Sequence, residues 1–430
     1  MRVIILFILL SSSHIFAQNM LKGRINCTSK MININKYYFN DKTHVDTINI
    51  SNKAYFVKDL SKFEYGEYNL KNEDIDIDFI YNNESILFVD NCNDNEPVIF
   101  EKSIENILLN NFFDFYYTNN TAYGLLNRLL DFYPKQDDFY NNIAKRVVEL
   151  NNVNNLYIDS LSNNNKNLLS VEIAKLYKNS SSNFIDKNVK YSLLLTKTRF
   201  LGDLILSYIN KFEKEKISRT EQQKAFLPAI DTILLSFKKN ELLTLYVADF
   251  LIDKFRYYDL DLVYEYTALK TKNLLALNKL DLEDKNIAQK VFNINNIVNS
   301  MVGHKAYNFK ISNKTNLFDV KAKQKLLVFW ATWCPHCEET INDLKENIKD
   351  IAPQIQVITY SLDYKQEDWK SKEQEFPKAW INLCECNNKE NVPDKYSVYA
   401  TPSLFLLDEN NIIRAKPNSY INLLDFLGDE

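Results

Sequence analysis

Glycine and proline are scarce in this chain: six glycines and nine prolines among 430 residues. They are scarcest in the middle, where only Gly202 lies between Gly124 and Gly303 and only Pro228 between Pro134 and Pro335. So long a stretch without the residues that break helices predicts a helical domain. Charge of one sign is lacking too. A formal net charge of -4, with Lys, Asp and Glu intermixed, leaves no basic stripe to follow a phosphate backbone, which excludes nucleic acid as a partner. No apolar run is long enough to span a bilayer, so no transmembrane segment is expected. The short run Val3 to Leu10 follows Arg2 and gives way to Ser11, and Ala17 is small enough for a cleavage position; residues 1–17 read as a cleaved export signal. Cys27 lies well beyond that run and follows Asn26, which is not small, so it does not read as a lipid-anchor site. A hydrophobic content of 46%, with 13% aromatic residues, argues for packed cores and against disorder.

What is present divides into three parts. Residues 18–100 read as short strands, with alternation in Ile48-Asn49-Ile50 and Ile75-Asp76-Ile77-Asp78-Phe79 and turns at Asn40-Asp41 and Asn82-Asn83; an all-β sandwich or barrel is expected. Residues 101–300 form the expected all-α domain, in which Leu243, Val247, Phe250 and Leu251 share one helix face. Residues 301–430 differ in kind, holding all four tryptophans and four of the six cysteines. Here Lys325 to Trp330 reads as a strand, and Cys337, Ile341, Leu344 and Ile348 fall on one face of a following helix. Further strands are expected at Gln356–Ser361, Ser403–Leu407 and Ile412–Ala415, with helices at Glu367–Glu375 and Tyr420–Leu427. The third domain is therefore an α/β fold.

The strand and helix enclose Trp333-Cys334-Pro335-His336-Cys337. Disulfide exchange needs one accessible thiol that ionises near neutral pH and a second that resolves the mixed disulfide. A CxxC at a helix start supplies both. Cys334 precedes the first turn, where free N–H groups and the dipole favour a thiolate, and Pro335 suits the first helical position. Cys334 is thus the expected nucleophile and Cys337, one turn deeper, the resolving thiol. His336 adds a donor and, when protonated, a positive charge that stabilises the Cys334 thiolate. The competing readings are a zinc half-site and a structural disulfide; no second pair at zinc-finger spacing accompanies the motif. No cofactor is expected beyond the Cys334–Cys337 disulfide itself, and no metal.

These residues resemble the thioredoxin-like superfamily, in its exported TlpA/ResA-like branch. The resemblance rests on Phe329-Trp330-Ala331-Thr332-Trp333-Cys334-Pro335-His336-Cys337, on Tyr396 to Asp408 with Thr401-Pro402, and on Gly303, Ala306 and Phe309 as a lead-in. It covers roughly residues 301–430. The resemblance implies that Pro402 follows a cis peptide bond and offers substrate a backbone edge beside the disulfide, and that Trp333 packs at the active site. Two positions depart from the family. Val328 stands where thioredoxin has a buried Asp, and Thr340 where ResA-like proteins have a Glu three residues after the second cysteine. The tetrapeptide is that of DsbA-type oxidases in a TlpA-like setting, so the direction of electron flow stays open. The first hundred residues are similar to a β-rich domain preceding thioredoxin-like domains in exported Bacteroidota proteins, through Gly23-Arg24-Ile25, Val45 to Ile48 and Tyr65 to Leu70. That likeness implies the periplasm or cell envelope.

Cys384 and Cys386 share a strand face and leave three readings: a second redox relay, a metal-binding lip, or a structural pair, which we favour. In an oxidising compartment Cys27 and Cys92 invite a bridge. The expected function is an exported thiol–disulfide oxidoreductase acting on protein thiols and disulfides and served by a membrane electron donor or acceptor. The two N-terminal domains would be scaffold, homodimer surface or substrate selector. The alternative is an envelope-binding protein whose thioredoxin-like domain docks partners or binds soft metal through Cys334, Cys337, Cys384 and Cys386.

Overall fold

The computed structural model describes residues 19–25, 31–50, 55–92, 96–165, 167–178, 184–185, 190–387 and 390–427. The expected export signal 1–17 and Cys27, with its expected bridge to Cys92, lie outside these residues. The strand-rich start, helical middle and α/β end predicted from sequence are all present. Compactness divides the chain differently, into two units: Met1–Glu213 with Pro228–Leu243, and Lys214–Leu227 with Thr244–Glu430. The helical segment is therefore shared between them. The boundary expected near residue 300 falls at the end of a helix within the second unit.

In the first unit β1 (Met20–Ile25), β4 (Tyr55–Asp59), β7 (Ile86–Asp90) and β8 (Ile99–Lys102) form one sheet in the order β4-β1-β7-β8. A second sheet runs β3-β2-β5-β6, from β2 (Met31–Tyr38), β3 (Asp41–Asn49), β5 (Gly66–Lys71) and β6 (Asp76–Tyr81). Inward residues of both sheets, Leu21 and Phe88 from one and Ile34 and Phe79 from the other, meet in one buried cluster, which makes the pair a sandwich. Gly23 on β1 pairs with both Phe56 and Phe88. A Cβ there would come within 2.4 Å of the Phe56 ring, so only glycine lets the two rings close over β1.

Helices α1 (Ile104–Leu130), α2 (Asp138–Asn164), α3 (Leu169–Leu176) and α4 (Arg199–Asn210) follow in the same unit. Ser103 caps α1 and Asp137 caps α2, each through a side-chain oxygen on an early N–H. The buried Glu105 carboxylate ties strands to helices. It accepts from Tyr65 Oη at 2.5 Å, from the Leu169 and Ser170 N–H groups at 2.9 and 2.8 Å, and from Ser170 Oγ at 2.6 Å. The buried Glu67 accepts the Arg199 N–H at 2.8 Å, while the Arg199 guanidinium also pairs with Asp78. Burial nonetheless dominates, and pushes the Glu67 carboxyl up to about 7.

Next come α5 (Arg219–Phe237), which carries Pro228 internally, α6 (Glu241–Tyr257), α7 (Asp261–Leu274) and α8 (Lys285–Asn299). Among the described residues no helix is long and apolar enough to cross a membrane. The α/β part contains β9 (Gln324–Trp330), α9 (Pro335–Ile351), β10 (Ile355–Ser361), α10 (Gln366–Glu373), β11 (Ile381–Cys384), α11 (Val392–Lys395), β12 (Ser403–Asp408), β13 (Ile413–Ala415) and α12 (Tyr420–Leu427). Its sheet runs β11-β10-β9-β12-β13, with β9 parallel to β10 and antiparallel to β12. β9 is buried along its whole length because both faces are covered. Leu326, Val328 and Trp330 face the core shared with α9 and α12, whereas Leu327 and Phe329 face a second core with Phe309 and Tyr396.

Candidate functional site

The central strand delivers the chain to the two cysteines of the motif. β9 ends at Trp330, and Cys334 is the N-cap of α9 with Pro335 in the first helical turn. Cys334 and Cys337 are joined as a disulfide with their Cα atoms 5.3 Å apart. The Cys337 N–H lies 3.2 Å from Cys334 Sγ, so a donor awaits negative charge on that sulfur. Cys337 is wholly buried, while Cys334 keeps 7% of its surface exposed. On the other side Cys334 Sγ is 3.3 Å from the Thr401 carbonyl oxygen. The Thr401–Pro402 peptide bond is cis. Trp333 is 66% exposed and His336 is exposed, both at the rim around Cys334.

Val328 and Thr340 are buried, and neither side chain carries a carboxylate. A carboxylate comes from elsewhere. Asp363, 2% exposed, accepts from the Thr332 N–H at 3.2 Å, from Thr332 Oγ1 at 2.7 Å and from Ser361 Oγ at 2.5 Å, and so fixes the loop two residues before Cys334. Sequence reasoning missed Asp363 because it belongs to no motif. Its signal is positional: it follows the end of β10, the strand beside β9.

A small pocket opens beside Cys334, lined in part by Trp330, Thr332, Ile341, Lys372 and Phe376. Its rim carries Glu338, Lys372 and Glu375, paired at 3.4 and 3.7 Å. These pairs are exposed and add little stability. Helices α6 and α7 of the same unit grip the loop before Pro402. Arg256 bonds Ser397 Oγ, and its guanidinium lies 5.2 and 5.3 Å from the ring centres of Tyr264 and Tyr399. Tyr399 Oη donates to Asp261 Oδ1 at 2.6 Å; burial and that carboxylate together hold the phenol well above its usual range. Neither Arg256 nor Tyr399 was singled out from the sequence, since their meeting is a tertiary event.

Cys384 and Cys386 form a second bridge with Cα atoms 5.2 Å apart. The four cysteines thus make two pairs. Among the described residues no group of three or more His, Cys, Asp or Glu side chains could hold a metal ion.

A strand–CxxC–helix unit on a five-stranded mixed sheet, faced by a cis-proline loop, defines a thioredoxin-like fold. Residues 302–416 match the model of the AhpC/TSA family, and the C-terminal segment is a thioredoxin-like domain of that kind. Over 101 residues, 24% of this chain, the sequence is 26% identical to the thioredoxin-like protein YneN of Bacillus subtilis. The chain spans 59% of the length of that curated relative. Among solved structures, a thioredoxin-like protein from Bacteroides caccae is 20% identical, with 52% of this chain and 82% of that one covered and a TM-score of 0.37. The thioredoxin domain of a thiol-disulfide oxidoreductase from Bacteroides vulgatus is 23% identical, with 30% and 95% covered and a TM-score of 0.27.

Proposed function

We propose that this protein is an exported thiol–disulfide oxidoreductase that exchanges disulfides with protein thiols through Cys334 and Cys337, with no redox cofactor besides that pair. One observation carries the reading: the Cys334 sulfur lies between the Cys337 N–H and the Thr401 carbonyl of the cis-proline loop, at the open edge of a domain that buries Cys337. In the reducing direction the Cys334 thiolate attacks a substrate disulfide, forming a mixed disulfide and expelling a substrate thiolate. Cys337 then gives up its proton and attacks Cys334 Sγ, releasing the second substrate thiolate and closing the Cys334–Cys337 bridge. Two electrons pass to the substrate. Pro402 offers substrate a backbone edge, the exposed Trp333 borders the pair, and His336, when protonated, favours the thiolate. A membrane carrier restores the pair, and the strand and helical regions serve as scaffold, homodimer surface or substrate selector.

The test is insulin reduction with dithiothreitol as reductant, on the full chain and on Cys334→Ser. Turnover that survives Cys334→Ser overturns the assignment. The same full chain gives the direction of flow through its reduction potential: about -270 mV marks a reductase and about -120 mV an oxidase.

A further inference from the structure

The second disulfide lies outside the exchange site but at the same end of the sheet. Cys384 closes β11 in register with Ser361 of β10, and Ser361 pairs with Trp330 of β9, four residues before Cys334. With neighbouring strands about 4.8 Å apart, the Cys384 and Trp330 Cα atoms stand about 10 Å apart across the sheet. Cys384 belongs to the same buried cluster as Cys334 and Cys337, and the half-buried Cys386 packs against that cluster. One residue touches both regions. Asp363 holds Thr332 through its carboxylate, and its carbonyl oxygen lies 3.3 Å from Cys384 Sγ.

A structural bridge acts by closing a loop, and this one closes over a single residue, Glu385, which restricts the unfolded chain least of all. Its chemistry instead repeats that of the first pair. In both bridges the N–H of the second cysteine is 3.2 Å from the sulfur of the first, a donor that stabilises that sulfur as a thiolate. Exposure separates the roles. Cys386 can be reached by an incoming thiolate, whereas Cys384, 2% exposed, is the sulfur whose leaving charge the N–H meets.

We propose that Cys384–Cys386 is a second exchange-competent disulfide, which takes electrons from the reduced Cys334/Cys337 pair; this rests on the redox reading of that pair. The Cys334 thiolate attacks Cys386 Sγ. A Cys334–Cys386 bond forms as the Cys384–Cys386 bond breaks, and Cys384 leaves as a thiolate and takes up a proton. Cys337 then loses its proton and attacks Cys334 Sγ, which restores Cys334–Cys337 and frees the Cys386 thiolate to be protonated. Two electrons and two protons have moved from one pair to the other. The bridges are separate when both are oxidised, so the short turn Glu385–Asn387 has to swing. It ends an edge strand and is anchored by the Tyr360 hydroxyl on Glu385 at 2.6 Å, which supplies the pivot. The fully reduced protein then stores two electron pairs.

Two measurements on the full chain test this. After equilibration in dithiothreitol buffers under native conditions, alkylation read by mass and peptide mapping is expected to label Cys384 and Cys386 together with Cys334 and Cys337. In Cys337→Ser, peptide mapping without reductant is expected to find Cys334 bridged to Cys386 with Cys384 free. Native labelling without that bridged species overturns the transfer, and labelling of Cys384 and Cys386 only after denaturation overturns the second site. Insulin reduction by the unmodified chain is measured alongside. Its failure strikes the redox reading of Cys334 and Cys337, not the bridge assay.

Discussion

Both compact units bury carboxylates on fixed donors, Glu67 and Glu105 in the first and Asp363 in the second, but the second also holds a sulfur set between backbone groups. In the first, Glu67 and Glu105 are fully buried carboxylates, each answered by N–H or hydroxyl donors from other elements. In the second, the Cys334 sulfur is faced by a backbone N–H and a carbonyl oxygen. The difference is one of permanence. A buried carboxylate with several fixed donors is a structural tie, because losing either side strands the other. A sulfur faced by backbone dipoles can lose and regain its charge without stranding an ionised partner. The first arrangement suits a scaffold, and the second suits a group that changes state in every turnover.

The contrast predicts that single substitutions break one unit's task and spare the other's. The largest effect falls at Cys334: Cys334→Ser is expected to reduce insulin turnover by on the order of 1,000-fold or more, because a hydroxyl does not ionise at neutral pH. Its melting temperature stays close to that of the reduced parent. Glu105→Ala comes next. It leaves the Ser170 N–H and the Tyr65 and Ser170 hydroxyls without the carboxylate that accepts from them, and the Leu169 N–H with the Tyr65 hydroxyl alone at 2.9 Å, at a cost of about 3–5 kcal/mol seen as a lower urea midpoint. Turnover per folded molecule is expected to hold, and a proportionate loss of specific activity would erase the division of labour.

What could be read from the sequence follows the range of the interactions. The Cys334–Cys337 helix register was legible because Cys337, Ile341, Leu344 and Ile348 are neighbours on one helix, and all four are buried. Ile75 to Phe79 announced β6 by alternation, and the paucity of glycine and proline announced the helices. The parallel pairing of β1 with β7 was not legible, since no local pattern says which distant strand completes a sheet. Asp363 escaped for the same reason: its value depends on β10 ending beside the loop after β9. Helices α7, α8 and all but the first turn of α6 read as part of a middle domain, yet they lie in the compact unit that holds Cys334 and Cys337. Composition marks where helices form but not which core they join.

A smaller effect sharpens the comparison through pH. The Glu67 carboxyl is raised by burial from an ordinary value of 4.5 to about 7, so the folded state holds a proton that the unfolded chain releases earlier. A raised carboxyl contributes stability that is present below the unfolded value and is lost as pH climbs through the folded one. Unfolding free energy is therefore expected to fall by about 3 kcal/mol between pH 4.5 and 7.5. Denaturant titrations across that range check it, with Glu67→Gln expected to flatten the slope. A parent protein whose stability is level over the window would show that Arg199 outweighs burial at this site.

The smallest effect reaches the redox site from the helices of its own unit. Tyr399→Phe keeps the ring's contacts with Arg256 and Tyr264 but removes the hydroxyl that donates to Asp261 at 2.6 Å. Because that carboxylate is exposed to water once freed, the cost to stability is about 1 kcal/mol. The loop it releases leads directly to Thr401, whose carbonyl sits against Cys334 Sγ, and to the edge proposed for substrate backbone. A looser edge weakens binding of a protein disulfide without altering the sulfur's own surroundings. The expected outcome is a KM for insulin raised about threefold with kcat unchanged, the fold-change that matches roughly 0.6 kcal/mol of lost binding. If kcat fell while KM held, the grip of α6 and α7 would be acting on the exchange step at Cys334 and not on the substrate's seat.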